Sequence, residues 1–374
     1  MLKSPPVSGQ HIELTKPDYV LAPPRGTIKT IKGDDGYVVD CVDMYKQPAF
    51  DHPLLKDHKI QMEPSSSPQN MNQNNASPDK FVQPWHKSGL CSKGTVPIRR
   101  RRLQGQSHKM KKQSNDTTKG PHSEFATVQA FPATGTRFYG GSASISIWDP
   151  AVSRQDDYSE STMLVQLSST SFLMAGWIVF PKQYHDFRPR LFIYFTTDNS
   201  TATRCWDLDC NGFVQVNNIY TLGSLINTVS TLGDRTYYAM KTAIYQDRKT
   251  RNWWVSFEDN PIGYWPASLF PGLPEGAEML QWGGTVYDSV GERAHTQTDM
   301  GNGFFPDVRT NKASLVCSLQ YVDDSNTLQI PGLSMLGVLA TKPLCYNVQL
   351  IPELDPNLGQ CFLFGGPGRN PLCP

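Results

Sequence analysis

Met174-Ala175-Gly176-Trp177 and Gln281-Trp282-Gly283-Gly284-Thr285 each set glycine beside tryptophan inside a segment with the pattern of a β-strand. Glycine within a strand lets another backbone or a ligand approach closely, and tryptophan offers a large flat surface with one polar tip. Together the two segments predict a groove that accepts an extended chain. The flanking residues Met174 and Thr285 decide which chemistry such a groove can perform.

Short β-rich segments separated by turn residues surround these two stretches from about residue 125 onward. Their spacing is typical of an antiparallel sandwich or barrel, and no helical period persists long enough for alternating strands and helices. We therefore predict an all-β fold, an antiparallel two-sheet β-sandwich, over residues 125–374. Its strands are predicted near residues 143–148, 162–167, 191–197, 212–217, 236–245, 253–257, 279–287 and 315–322.

The chain before residue 125 differs in composition. Residues 1–27 are rich in proline and residues 64–79 are of low complexity, so both are expected to be disordered. Residues 28–100 contain strand-like and turn-like pieces, which predict a smaller segment with partial order. Residues 101–124 form a basic linker after the run that begins at Arg99, and we expect proteolytic processing there.

Charge divides the chain in the same way. Residues 1–125 hold 19 Lys and Arg against 12 Asp and Glu, a net charge of +7, whereas the remainder holds 16 against 22, a net charge of −6. A basic pro-segment docked on an acidic domain would have this pattern; two regions without mutual contact would have it too. Nucleic-acid binding through the basic linker is disfavoured, because aromatic residues are not interleaved with the cations.

Eight cysteines fall two before and six after residue 125, which suits disulfides that close within each region. No Cys-x-x-Cys pair exists and the histidines are scattered, so we expect no metal, and no cofactor motif is present. No apolar run reaches the roughly 18 residues that span a membrane, so no membrane partner is expected. The N-terminus lacks the apolar core of a signal peptide, and we favour a lost leader over a chain that is not exported.

Several further motifs accompany the two glycine–tryptophan stretches, and together they resemble the plant neprosin family of secreted glutamic peptidases that cleave at proline. Residues 28–100 resemble the activation peptide of that family, through 39–53 and 91–100. The motifs of the larger region are 190–198, Cys205-x4-Cys210, 252–254, 263–266 and 365–374.

This resemblance implies a two-sheet sandwich with a substrate groove across one curved sheet, a pro-segment that docks on it, and an extracellular or secretory location. It also implies the disulfides Cys205–Cys210 and Cys345–Cys373, with Cys41–Cys91 expected in the pro-segment. Cys317 and Cys361 lie outside the family pattern, and the sequence leaves them either paired or free.

Peptide hydrolysis by paired carboxylates needs two acids in one cleft, whose proximity separates their pKa values and assigns their roles. The resemblance places one glutamate directly before Ala-Gly-Trp and the other directly after Trp-Gly-Gly, where this chain has Met174 and Thr285. Neither side chain can replace a carboxylate. We therefore predict a pseudopeptidase without catalytic residues, in which Gln281 is a surviving polar contributor.

Two alternatives stay open. One is an active proline-directed endopeptidase with a relocated acid, although strand alternation sets Glu278 and Asp288 on the opposite face from Thr285. The other is a sandwich that binds carbohydrate or wall proteins. In each case the ligand is an extended peptide, a proline-rich protein or a glycan. The aromatic residues that would bind it, which follow, could equally form the core of the sandwich. The predicted ligand-binding residues are Trp177, Tyr194, Trp265, Trp282, Gly283 and Gly284.

Overall fold

The computed structural model describes residues 22–33, 36–71, 82–100, 120–201, 204–233, 237–291, 294–307, 312–351 and 358–374. The N-terminal part is a three-stranded antiparallel sheet of β1 (Thr27–Lys32), β2 (Val38–Asp43) and β3 (Thr95–Arg99). Short 3₁₀ helices lie between β2 and β3, and three of the four begin with proline, whose fixed φ suits a first helical position. They are Met44–Lys46, Pro48–Asp51, Pro53–Leu55 and Pro84–Ser88.

The remaining strands form two antiparallel sheets that pack face to face. Their strands are β4 (His122–Ala130), β5 (Gly140–Ser146), β6 (Tyr158–Gln166), β7 (Phe172–Val179), β8 (Arg190–Thr196), β9 (Cys205–Trp206), β10 (Val214–Gln215), β11 (Ala239–Gln246), β12 (Trp253–Phe257), β13 (Asn260–Trp265), β14 (Met279–Asp288), β15 (Ser314–Val322), β16 (Leu328–Gln329), β17 (Leu336–Ala340), β18 (Asn347–Ile351) and β19 (Cys361–Gly365). The first sheet has the order β10-β13-β12-β11-β5-β15-β19-β18, with β16 beside β15, and the second sheet has the order β17-β4-β14-β6-β7-β8-β9. Short helices occur at α1 (Pro181–Tyr184) and, as 3₁₀ turns, at Ala267–Leu269 and Leu333–Met335.

Alternation along β7 and β14 builds the core between the sheets. Trp177 and Trp282 point inward and are fully buried in the main core, whereas Met174 belongs to a separate cluster on the outer side of the second sheet. The Trp177 indole donates a hydrogen bond of 2.9 Å to the backbone carbonyl of Ser146 on β5. One tryptophan therefore ties the two sheets together.

The predicted all-β sandwich is confirmed, and each predicted strand segment contains a strand. Two boundaries differ from expectation. β4 begins at His122, inside the predicted linker, because its backbone pairs with β14 as far as Asp288. Residues 64–71, predicted to be disordered, are held in place: Ser65 donates hydrogen bonds to Asp247, and Gln69 forms a bridge with Thr327. The rest of that run, residues 72–79, and residues 1–21 and 101–119 lie outside the described residues.

The N-terminal segment contacts the sandwich at several places. The buried Gln47 side chain donates to the carbonyl of Gln215 at 3.0 Å and accepts from its backbone amide at 2.8 Å. Gln83 does the same with Thr221, at 2.9 and 2.7 Å. In each case an amide side chain satisfies the unpaired edge of a backbone segment. The docking predicted from net charge is thus made largely by neutral hydrogen bonds.

All eight cysteines are paired. The structure contains the expected disulfides Cys41–Cys91, Cys205–Cys210 and Cys345–Cys373, and it also joins Cys317 to Cys361. The last pair links β15 to β19, which are hydrogen-bonded neighbours in the first sheet. Within the part of the chain that the structure describes, no helix is long and apolar enough to cross a membrane.

Replacing Gln47 with alanine tests the docking of the N-terminal segment. The change leaves the amide and carbonyl of Gln215 buried without partners, so the free energy of unfolding should fall by about 1–3 kcal/mol. Urea denaturation measures this loss. Tyr45→Ala, at a side chain that is 70% exposed, is the control and should stay within about 0.5 kcal/mol of the natural chain. Equal midpoints for the two variants would show that the segment is held elsewhere.

Candidate active site

Strand register brings the two glycine–tryptophan stretches to one level of the second sheet. Gly176 on β7 lies opposite Thr162 on β6, and Thr162 lies opposite Gly283 on β14. A Cβ at Gly176 would lie 2.1 Å from the Ser161 carbonyl oxygen, and Gly283 has a φ of +134°. Both positions therefore require glycine, and no side chain projects from the outer face of the sheet at either of them.

Thr127 on β4 continues this row beyond Gly283. We call Gly176, Thr162, Gly283 and Thr127 the glycine trough. It crosses four strands, a width of about 15 Å, which is the length of four or five residues of extended chain. The Thr127 hydroxyl is buried and has no hydrogen-bond partner among the described residues.

One side of the trough is formed by Met174, Leu164 and Gln281, which lie opposite one another on β7, β6 and β14. Met174 and Gln281 are thus two strands apart at the same level, with backbones about 10 Å apart. Gln129 donates a hydrogen bond of 2.8 Å to the side-chain carbonyl of Gln281. This side of the trough offers amide groups and a thioether, none of which ionises.

The opposite side of the trough is formed by Ile178, Glu160 and Thr285. The Glu160 side chain is buried, and burial raises the pKa of its carboxyl to about 8, against the opposing effect of a hydrogen bond from Thr285. At neutral pH this carboxyl is therefore mostly protonated. Sequence reasoning missed Glu160 because it lies outside every motif and two residues before the strand predicted at 162–167, whereas the observed β6 begins at Tyr158.

Met174 and Thr285 lie on different levels of the sheet, and their assignment as a catalytic pair stays a prediction. Thr285 is level with Glu160, four residues or about 13 Å along the strands from the level of Met174. Gln281 is the β14 residue level with Met174.

Burial also corrects the predicted ligand surface. Trp177, Trp265 and Trp282 are fully buried in the main core, so their rings cannot stack on a ligand. A Cβ at Gly284 would meet Met300 and Phe364 at 2.7 Å, so Gly284 faces the core as well. Strand alternation within a motif shows which residues share a face, but which face is outer depends on the packing of the other sheet.

Tyr194 alone among the predicted aromatic residues belongs to the outer side. It packs on Trp206 with ring centroids 4.8 Å apart, and Phe192, its neighbour on β8, lies opposite Gly176 at one end of the trough. The half-buried rings of Tyr158 and Tyr287 stack at 5.2 Å beside Glu160 and Thr285. We call the following set the outer aromatic cluster: Tyr158, Phe180, Phe192, Tyr194, Trp206 and Tyr287.

A second buried acid, Glu124 on β4, lies on the core side of the same sheet. Its carboxylate contacts the Nε2 atoms of His122 at 2.8 Å and of His295 at 2.7 Å. The Nδ1 atom of each histidine faces a backbone carbonyl at 2.8 Å, which can only accept a hydrogen bond. Both nitrogens of each ring must therefore donate, and the geometry favours two imidazolium ions around one carboxylate.

His295 also lies near Cys345 and Cys373, close enough for the three to share an ion. The two sulfurs are bonded to each other, whereas zinc binds cysteine as thiolate. These residues therefore do not form a zinc site in the oxidised protein.

Comparison with known proteins agrees with this architecture. The family model described as Neprosin matches residues 155–367, and the model described as Neprosin activation peptide matches residues 30–134. The chain belongs to the neprosin family. It is thus a peptidase-like homologue with an activation-peptide region, and the match to that region extends through the basic linker and the whole of β4.

Solved structures similar to this neprosin homologue include scytalidoglutamic peptidase with a peptide-based transition-state analogue and with a second transition-state analogue inhibitor. Another is SCP-B, a member of the eqolisin family of peptidases, with the tripeptide Ala-Ile-His. Identities are 7–8%, each covers 66% of this chain and 98% of its own, and each TM-score is 0.35.

The histidine–glutamate cluster predicts a pH optimum of stability. Burial raises the pKa of Glu124, but the two histidine hydrogen bonds outweigh it and lower the pKa to about 2. The hydrogen bond between His122 and Glu124 raises the pKa of His122. Burial lowers the pKa of His295, but the Glu124 carboxylate outweighs burial, so that this pKa also lies above 6.5. The stability that ionised Glu124 contributes is present above about pH 4.5 and is lost as pH falls towards about 2. The stability that the two histidines contribute is present below about pH 6.5 and is lost as pH rises through their raised pKa values.

Glu124→Gln should therefore lower the free energy of unfolding most between about pH 4.5 and 6.5, by about 3–5 kcal/mol, because the buried His295 and the half-buried His122 lose their shared counter-ion. Thermal unfolding across pH measures this effect. Glu275→Gln, at an exposed ion pair with Arg251, should change little. A pH profile for Glu124→Gln parallel to that of the natural chain would contradict the assignment.

Proposed function

We propose that this protein is a catalytically impaired neprosin homologue whose glycine trough still binds extended, proline-containing peptides. The observation that carries the proposal is the composition of one level of the sheet, where Met174, Leu164 and Gln281 stand side by side without a carboxyl group. A water molecule held between Met174 and Gln281 would have no base to take its proton. The amide of Gln281 can still donate a hydrogen bond to a bound peptide carbonyl.

The expected loss of rate follows from the missing groups. A positioned general acid or base contributes about 10²- to 10⁴-fold, which corresponds to roughly 3–5 kcal/mol of barrier for each group. Without either one, turnover should fall close to background. Binding does not depend on these groups, because the trough is built from strand register and glycine.

Glu160 supports a second candidate, an active peptidase with a relocated acid. It is the one carboxyl found on the trough-facing side of β6, but it stands four residues from the Met174 level and pairs with threonine instead of a second acid. A single protonated carboxyl can donate a proton yet cannot also activate water. We therefore rank this candidate below the pseudopeptidase.

The outer aromatic cluster favours a third candidate, a binding sandwich for glycans or proline-rich wall proteins. Half-buried Tyr158, Trp206 and Tyr287 offer flat faces on which a proline or sugar ring can stack. This cluster takes the role that the sequence had assigned to the buried tryptophans. Proline-rich peptides and glycans are then alternative ligands of the same aromatic surface.

Four disulfides and membership of the neprosin family accord with an extracellular or secretory protein. The N-terminal segment would remain docked on the sandwich until proteolysis in the basic linker, whose residues 101–119 lie outside the described part of the chain. Its contacts at Gln47 and Gln83 support this arrangement.

Restoring acids tests the proposal and decides between two assignments of the catalytic positions. The register predicts that Met174→Glu with Gln281→Glu gains cleavage of proline-containing peptides by at least about 10²-fold. Met174→Glu with Thr285→Glu should gain nothing, because its two acids lie on different levels. Met174→Gln with Thr285→Gln is a control for side-chain size. Full chains are assayed with and without limited trypsin cleavage, and peptide fragments are counted by mass spectrometry.

The opposite ranking of the two double variants would overturn the register argument. Cleavage by the natural chain at the rate of an active homologue would overturn the pseudopeptidase itself. No gain in any variant, together with no peptide binding, would show that the trough is not a peptide groove.

A further inference from the structure

Glu160 is a buried acid with an unused hydrogen-bonding atom. Its side chain is 2% exposed, and Oε2 has no hydrogen-bond partner among the described residues. Leaving a buried polar atom unpaired is costly, and such atoms in native proteins mark strain, a functional role or an absent ligand. No feature of the sandwich requires an acid at this place, since the neighbours on either side are Ile178 and Thr285.

The side chains around Glu160 keep it uncharged and orient it. Thr285 bonds to its carboxyl, and no cation acts on its titration. The titratable groups facing it are phenols: Tyr158 on its own strand, Tyr287 on β14 and Tyr194 on β8, while Arg204 acts on the latter two tyrosines. The pKa values of all three phenols are raised, that of Tyr194 to about 12, so they stay neutral where Glu160 titrates.

Glu160 also stands at the edge of the glycine trough. Thr162, two residues along β6, forms the floor between Gly176 and Gly283, so the two side chains are about 7 Å apart at their backbones on the same face. Thr127, whose hydroxyl is another buried group without a partner among the described residues, lies at the far end of that floor. Two buried polar groups without described partners thus lie on the outer face of the sheet, along a row that has the length of a short extended peptide.

We propose that Glu160 is a ligand-binding residue of the trough, which donates a hydrogen bond from its neutral carboxyl to a backbone carbonyl of an extended peptide. The inference rests on the proposed peptide groove and names the group that holds its ligand. A neutral acid flanked by phenols suits an uncharged acceptor, and a tertiary amide carbonyl, as before proline, is such an acceptor that brings no competing N–H. The outer aromatic cluster then packs on the ring of that proline.

Two substitutions separate hydrogen bonding from titration. Glu160→Gln keeps a donor that does not ionise, and Glu160→Leu removes the donor at similar volume. The probe is a fluorescein-labelled, C-terminally amidated peptide of repeating Pro-Gln, titrated by anisotropy into the full chain and into chain nicked by limited trypsin. Thermal unfolding of each variant confirms that it is folded.

The natural chain should bind the peptide at about pH 6 and lose about tenfold in affinity by about pH 9.5, as the Glu160 carboxyl ionises through about pH 8. Glu160→Gln should bind within about threefold of the natural chain at pH 6 with no pH dependence. Glu160→Leu should bind about tenfold more weakly at pH 6, also without pH dependence.

Equal affinity of Glu160→Leu and the natural chain, with equal pH profiles, would overturn the role of Glu160 while leaving the peptide groove intact. No binding by the natural chain at any pH would remove the groove itself, and with it this inference. Preference for a labelled oligosaccharide over the peptide would likewise overturn it, in favour of the glycan ligand.

Discussion

The register of β7, β6 and β14 is the constraint on which the rest of the site depends. It holds Gly176, Thr162 and Gly283 at one level and turns Trp177 and Trp282 into the core. Because side chains alternate with a period of two, a slip of one residue would expose both tryptophans and fill the trough. Packing of the core and the row of glycines on the outer face are therefore fixed together.

Two buried glutamates in this sheet show how environment sets chemistry. Glu124 has two histidines and remains ionised, with a pKa of about 2, whereas Glu160 has a threonine and is neutral below about pH 8. The first stabilises the fold through charge; the second is suited to donate a hydrogen bond. Neither lies at the level of Met174 and Gln281.

Much of the fold could be predicted from sequence because it rests on local signals. Short β-rich segments separated by turn residues marked the strands, and the even division of cysteines suited pairing within each region. The site was predicted less well. Thr285 follows Trp-Gly-Gly in sequence, but only the pairing of β14 with β6 shows that Gln281 is level with Met174. Glu160 was missed for the same reason, since its partners come from strands that are distant in the chain.

The most direct test of the account is to incubate the natural protein with a library of proline-containing peptides across acidic and neutral pH, and to search for new peptide termini by mass spectrometry while measuring retention on the immobilised protein. The account predicts intact peptides that are retained, because the trough persists and Met174 and Gln281 supply no base. Prompt appearance of new termini that depends on the folded protein would contradict it.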